Sequence, residues 1–395
     1  ESLYATQFKN LPIGQMEEKF ADYGEVQIKQ LNDRSKMYYT PNKENNVFQL
    51  VVQYGAGERE FPKLGYAAQL MNNAGIMGAY EPQELKEELS KLNATCHVTA
   101  DDDNLYIIME GYEATLPQAC QLLSRQILMP KLDEKQLARL KGSAMGMRQQ
   151  RKDNVSILNE ALRQYMLYGE KSDYIKELTD KEIYELQISE LTGDINRASN
   201  YEAKVFFTGT LPFDQVYDIL SKNLPLVANE RPSNSPQAKD MMPVTENTVY
   251  FLPNNDAEQA QIHLYIPMQK ADKKDDVLRS AFNQYFGLDF TGIVLNEIRE
   301  KRSMAYTAYA FVGTQGIVGK ASYLRGYIGT QNDKANDALD VLMGLVNHMP
   351  KNPERIDNIK SYLRQAMLTS HPSFRNKAME LVDLGYRGYT DDPAT

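Results

Sequence analysis

The sequence predicts an α+β fold made of two homologous α/β sandwich domains, each a mainly antiparallel sheet with helices packed on one face. Three observations carry this prediction. Strands alternate with helices and tight hairpins, the same order of elements is written twice, and a polar Pro-rich stretch (Pro232, Pro236, Pro243) separates the copies. At 395 residues the chain also exceeds what one hydrophobic core usually supports. The expected boundaries are 1–227 for the first domain, 228–244 for the linker and 245–395 for the second domain.

In the first half, Val26 to Leu31 reads as an extended lead. The run Val-Phe-Gln-Leu-Val-Val-Gln-Tyr over 47–54 is a strong strand ending in Gly55-Ala56-Gly57. Helices are expected over 65–73 and 81–92. A hairpin follows, with arms at 95–99 and 105–109 and Asp101-Asp102-Asp103-Asn104 at its turn. A helix over 116–127 carries Pro117 in its first turn. Asp133, with Gln136 in capping-box spacing, opens a long helical stretch. Thr179 with Glu182 marks another helix start, and 204–208 reads as a closing strand.

The second half replays this order at an offset of roughly 215 residues, which is duplication of a whole domain rather than a solenoid repeat. Residues 261–266 parallel the strand around Leu50, 276–286 the helix around Ala68, 322–328 the strand around Ile107, and 336–342 the helix at Cys120. The run Leu384-Gly385-Tyr386-Arg387-Gly388-Tyr389 parallels Leu167-Tyr168-Gly169-Glu170-Lys171-Ser172. By this internal alignment the second copy is expected to stop roughly 30 residues short of the first.

Composition is that of an ordinary globular protein: 42% hydrophobic and 25% charged. No apolar run approaches membrane-spanning length. The net charge of -9 argues against a nucleic-acid partner, which needs a basic face. Cys96 and Cys120 make no CxxC motif, and Cys120 on an apolar helix reads as a small core residue. The acidic hairpin turn lacks the ligand spacing of an EF-hand, and His97 reads as a structural histidine. The sequons at Asn93 and Asn154 carry little weight without a sign of secretion. The compartment stays open between cell envelope or periplasm and cytoplasm.

The most informative segment is Asn296-Glu297-Ile298-Arg299-Glu300-Lys301-Arg302-Ser303-Met304-Ala305-Tyr306, which follows the glycine-flanked run 286–292. A charged helix end running into a Tyr/Ala strand sets a guanidinium beside a phenol, both donors suited to peptide carbonyl oxygens. The segment resembles the "LREKRGLAY" signature of pitrilysin-type (insulinase-type) zinc metallopeptidases, an inverzincin family. Gly55-Ala56-Gly57-Glu58-Arg59 and the helix after it extend the resemblance over nearly the whole chain. It implies two consecutive pitrilysin-like domains, with Arg299 and Tyr306 as substrate-binding residues. Ser303 stands where the family commonly has Gly, a departure at a turn.

The family's zinc site, an inverted H-x-x-E-H on the helix after the first core strand, would fall on Ala68, Met71 and Asn72. No imidazole or carboxylate is left there. The third ligand would fall within 147–151, which also lacks an acid. The resemblance therefore implies the C-terminal, non-zinc half of a zinc endopeptidase that works in an enclosed chamber, inactive alone. No cofactor is expected in this chain, and zinc is expected in a partner N-terminal half. The expected partners are that half, or a homologous zinc-bearing subunit, and a peptide substrate. Two alternatives stand beside it: a separate inactive subunit of a heterodimeric peptidase, and a structural or peptide-binding protein that has left proteolysis altogether.

Overall fold

The alternation of Val47 to Tyr54 becomes a central strand whose side chains divide between two faces. Phe48, Leu50, Val52 and Tyr54 enter one hydrophobic core, and Val51 points into another. The structure is a computed structural model that describes residues 2–11, 20–152, 154–227, 231–233, 238–254, 257–288 and 291–390. Parts of the expected linker (228–230 and 234–237), with Asp289 and Phe290 of the glycine-flanked run, lie outside the described residues.

The first half runs α1 (Leu3–Lys9), β1 (Gln27–Gln30), β2 (Lys36–Pro41), β3 (Val47–Tyr54), α2 (Leu64–Met71), β4 (Gly75–Ile76), α3 (Pro82–Lys91), β5 (Thr95–Ala100), β6 (Leu105–Tyr112) and α4 (Leu116–Leu128). It continues with β7 (Pro130–Lys131), α5 (Glu134–Arg151), α6 (Val155–Tyr168), α7 (Asp173–Lys176), α8 (Asp180–Glu185), α9 (Ile188–Ala198), β8 (Ala203–Gly209) and α10 (Phe213–Asn223). The second half runs β9 (Gln259–Lys270), α11 (Asp276–Phe286), α12 (Ile293–Leu295), a π-helical turn Asn296–Glu300, β10 (Ala305–Thr314), β11 (Ala321–Gln331), α13 (Ala335–Asn347), α14 (Ile356–Thr369) and α15 (Lys377–Arg387).

Two sheets carry the fold, with a minor two-stranded pair of β4 and β7. One has the order β1-β2-β8-β3-β6-β5, antiparallel except for the β2–β8 pair, and the other has the order β10-β11-β9. The hairpin turn is fixed by Asp101, whose carboxylate accepts from the N–H groups of Asp103 and Asn104 at 2.8 and 2.7 Å. Gly57 passes so close beneath this turn that a Cβ would meet the Asp101 carbonyl at 2.3 Å. The Thr179/Glu182 capping box forms as expected. The box expected at Asp133 does not. The Asp133 side chain caps the N–H of Lys135 at 2.9 Å, and Gln136 takes no reciprocal part in the cap.

Each sheet buries one face against helices of its own half. The first core draws on residues from Met37 to Leu224 and the second on residues from Tyr285 to Ile359. In addition, each opposite face meets a helix from the other half. Ala378, Met379, Leu381 and Val382 of α15 pack on Tyr38, Val51, Tyr106, Ile108 and Phe206 of the first sheet. Reciprocally, α6 meets β9, where the His263 Nε2 and the Asn159 Oδ1 lie 2.6 Å apart. The two roofing helices are the very segments that the internal alignment pairs, and both end at a positive-φ glycine, Gly169 and Gly388.

The two seams titrate in different pH windows. Burial, then Arg325 and Arg163, brings the His263 imidazole down to about 4, against a weaker opposite pull from Glu160. Hydrogen bonds from Lys377 of α15 and then from Lys43 hold the Glu25 carboxyl at about 2. Both folded values lie below the unfolded ones. Each contribution is therefore full above the unfolded pKa and is lost as pH falls toward the folded one. On acidification the α6 seam is expected to weaken between about pH 6.5 and 4, and the α15 seam between about pH 4.5 and 2. Hydrogen exchange of α6 and α15 amides against pH checks the order, and simultaneous loosening of both helices would refute it.

Candidate functional site

Backbone irregularities converge on the segment that the sequence singles out. Helix α12 widens into the π-turn Asn296–Glu300, where the N–H of Lys301 reaches the Asn296 carbonyl at 3.0 Å. Ser303 then takes the left-handed conformation, φ 51°, and donates its N–H to the Arg299 carbonyl at 2.8 Å. The register of β10 against β11 slips between Ala305 and Thr307, which leaves Tyr306 as the bulged residue. π-turns and β-bulges re-aim side chains at a small local cost, and both are enriched beside functional sites.

The result is a stacked pair. The Arg299 guanidinium carbon lies 5.0 Å from the centroid of the Tyr306 ring, and its Nε lies 3.3 Å from a Glu300 carboxylate oxygen. Tyr306 is 74% exposed. The neighbouring cations are committed elsewhere. Lys301 and Arg302 each reach the Glu297 carboxylate at 2.6 Å and hold its pKa below the usual carboxylate range. Arg299 alone in this charged run faces the phenol.

Sequence reasoning missed the surface beside this pair. On the sheet face away from the second core, Tyr309 stacks on Tyr327 at 5.2 Å and approaches Phe311 at 6.0 Å. The Arg325 guanidinium lies over both Tyr309 and Phe311, and donates to the Tyr309 hydroxyl at 3.3 Å. The alternation of Tyr309 and Phe311 with core Ala308 and Ala310 was the available signal. Its meaning depends on β11 supplying Arg325 and Tyr327 from the next strand.

Ser303 makes the turn testable. A non-glycine residue in the left-handed region costs about 1–2 kcal/mol, and glycine returns part of that as extra unfolded-state freedom. Ser303→Gly is expected to stabilise the chain by about 0.5–1 kcal/mol, read as a higher urea midpoint at unchanged slope. A lower midpoint would show that the turn holds no such strain.

The positions where the family resemblance places zinc ligands hold structural residues instead. Ala68 and Met71 are buried in the first core. The Asn72 amide grips edge strand β5: its Nδ2 donates to the Val98 carbonyl at 2.9 Å and its Oδ1 accepts from the Val98 N–H at 2.7 Å. The second half repeats the device, with Asn283 of α11 gripping Val312 of edge strand β10 at 2.9 and 2.7 Å. A clamp written in both copies satisfies two edge-strand backbone groups each time. At the expected third-ligand position, Arg148 and Arg151 pair with Glu177, and Arg148 also with Asp180. These residues do not fit zinc. Among the described residues no three His, Cys, Asp or Glu side chains are grouped to hold a metal ion.

Burial pushes the Cys96 and Cys120 thiols up to about 12, away from reactivity at neutral pH. Asp102 pairs with Arg59 and Lys239, and Asp103 pairs with Arg59, as a solvated turn does. Among the described residues no helix is long and apolar enough to cross a membrane.

Residues 199–363, from the lead into β8 through most of α14, match the sequence model of a family described as "Peptidase M16 inactive domain". Over these residues the chain is similar to a peptidase M16 inactive domain. The resemblance to the pitrilysin-type peptidases, as their non-zinc half, is thereby upheld, and solved structures agree on the fold. An M16 inactive domain from Pseudomonas fluorescens shares 18% identity at a TM-score of 0.64, over 92% of this chain and 88% of that one. The periplasmic protease PqqL from Escherichia coli shares 12% identity at a TM-score of 0.70, over 98% of this chain and 45% of that one. The ferredoxin protease FusC, solved in complex with Arabidopsis ferredoxin, gives 12%, 0.68, 98% and 45%. This chain thus spans less than half the length of either of those two proteases. Comparison with curated protein sequences returns no match.

Proposed function

We propose that this M16 inactive domain is the non-catalytic, substrate-gripping half of a zinc-dependent endopeptidase that cleaves peptides in an enclosed chamber. The observation that carries this reading is the Arg299/Tyr306 pair: two hydrogen-bond donors stacked at 5.0 Å, one on the π-turn and the other on the bulged edge strand, with the phenol exposed. An edge strand offers backbone groups to an extended peptide, and the adjoining row of Tyr309, Phe311 and Arg325 offers flat surfaces to its side chains. The phenol and the guanidinium would donate to substrate carbonyl oxygens and to the negative charge that develops on the attacked one.

The zinc belongs to a partner half or a homologous subunit, where it would act as the Lewis acid. The ferredoxin bound to FusC supports a peptide or protein as the class of substrate, at the level of shared fold. The test is turnover of peptide by this chain together with its H-x-x-E-H-bearing half, with and without an altered Tyr306, and with this chain alone as the inactive control.

A further inference from the structure

The Asn72 clamp leaves part of its edge strand unsatisfied. Its carboxamide takes both outward groups of Val98 in β5, donating to the carbonyl and accepting from the N–H. In the antiparallel β5–β6 pair, Val98 stands opposite Ile107 and Cys96 opposite Met109. Outward-facing residues alternate along such a strand, so Cys96 also turns its N–H and C=O away from β6. Among the described residues no hydrogen bond reaches either group.

The second half covers the equivalent place with its own chain. Asn283 clamps Val312 of β10, and the residue two places before it is Ala310. The main chain leaving α11 passes over Ala310: a Cβ on Gly287 would meet its carbonyl oxygen and nitrogen at 2.6 and 2.7 Å. Beside Cys96 the first half has instead a cavity of about 590 Å³, within the range of small-ligand sites. Met71, Leu85, Leu89 and Val98 give it apolar walls. Gln126 braces it, its Nε2 donating to the carbonyls of Met71 and Ala74 at 3.2 and 3.3 Å. Exposed Lys86 and Ser90 also line it, which leaves it open to solvent.

We infer that this cavity is a binding site for a short extended peptide, held by one residue paired antiparallel with Cys96. The N–H of that residue would donate to the Cys96 carbonyl, and its C=O would accept from the Cys96 N–H. Residues directly opposite one another carry their side chains on the same face, and Cys96 packs against the first core. The side chain of the bound residue therefore enters the cavity, where the walls suit a leucine-sized aliphatic group. Asn72 displays the same pairing on the neighbouring outward residue, with a side-chain amide in place of a backbone one. Arg299 and Tyr306 belong to the other half, and the inference is independent of any peptidase role.

The test adds the blocked tripeptide acetyl-Ala-Leu-Ala-amide to the intact chain. Saturable binding is expected, with slowed hydrogen exchange at the Cys96 amide and unchanged exchange at Ala310 of β10. Methylating the leucine nitrogen of the probe removes its donor and is expected to weaken binding about tenfold. Glycine in place of the leucine is expected to weaken it by about as much or more, because no side chain is then buried. In the chain, Ser90→Trp changes an exposed residue of the lining, sets an indole across the opening and is expected to lower affinity by about the same factor. No saturation at millimolar probe, or saturable binding without protection of Cys96, would overturn the site. Equal affinity of the methylated probe would overturn the backbone pairing, and equal affinity of the glycine probe would overturn the side-chain pocket.

Discussion

In the proposed assembly with a zinc-bearing half, the Tyr306→Phe chain is expected to turn over peptide about 10²–10³-fold more slowly, with zinc content unchanged and KM little altered. The substitution removes one hydroxyl and leaves the ring that supports Arg299, so the guanidinium keeps its place at 5.0 Å. A loss confined to kcat would locate the hydroxyl's contribution in the transition state rather than in ground-state binding. Arg299→Ala is expected to cost at least as much, since it removes a donor and the cation that lies over the phenol ring. Lysine is a poor substitute there, because it lacks the planar fork that stacks and donates together. Steady-state kinetics with a quenched fluorescent peptide, beside metal analysis of each variant, makes the measurement. Turnover within twofold of the parent for Tyr306→Phe would remove the phenol from the chemistry.

The second large effect concerns the metal. Rebuilding the inverted motif with Ala68→His, Met71→Glu and Asn72→His is expected to unfold the first half rather than to create a zinc site. An imidazole at position 68 overfills a fully buried alanine site, for about 1–3 kcal/mol. A carboxylate at position 71 enters a site only 1% exposed, a further cost of several kcal/mol. Loss of the Asn72 amide strands the Val98 N–H and C=O, for about 1–3 kcal/mol. The total is on the order of the whole stability of a domain, even allowing for coupling among neighbours. Urea denaturation and zinc titration of the triple variant decide the matter. A folded variant binding one equivalent of zinc would show that this half keeps a latent metal centre.

Local chemistry was legible in the sequence wherever it decided the outcome. The alternation of Val47 to Tyr54, the Asp101 turn and the Thr179/Glu182 box are set by neighbours within a few residues, and each formed as read. The duplication was equally visible, because a repeated order of elements survives changes of individual residues. Long-range partners were not legible. That Asn72 clamps Val98, twenty-six residues away, depends on where α2 lands against β5. The Arg299/Tyr306 neighbourhood was read from spacing, whereas its precision comes from a π-turn, a left-handed serine and a bulge that no local preference announces. The failed box at Asp133 teaches the converse, since the right residue at the right spacing still has to win against a shorter cap.

The exchange of α6 and α15 between the two halves bears on how such a molecule can be divided. The apolar outer face of the first sheet, with Tyr38, Val51, Tyr106, Ile108 and Phe206, is covered by α15 of the second half. The first half expressed without α15 would leave that apolar face in water, a surface that favours aggregation.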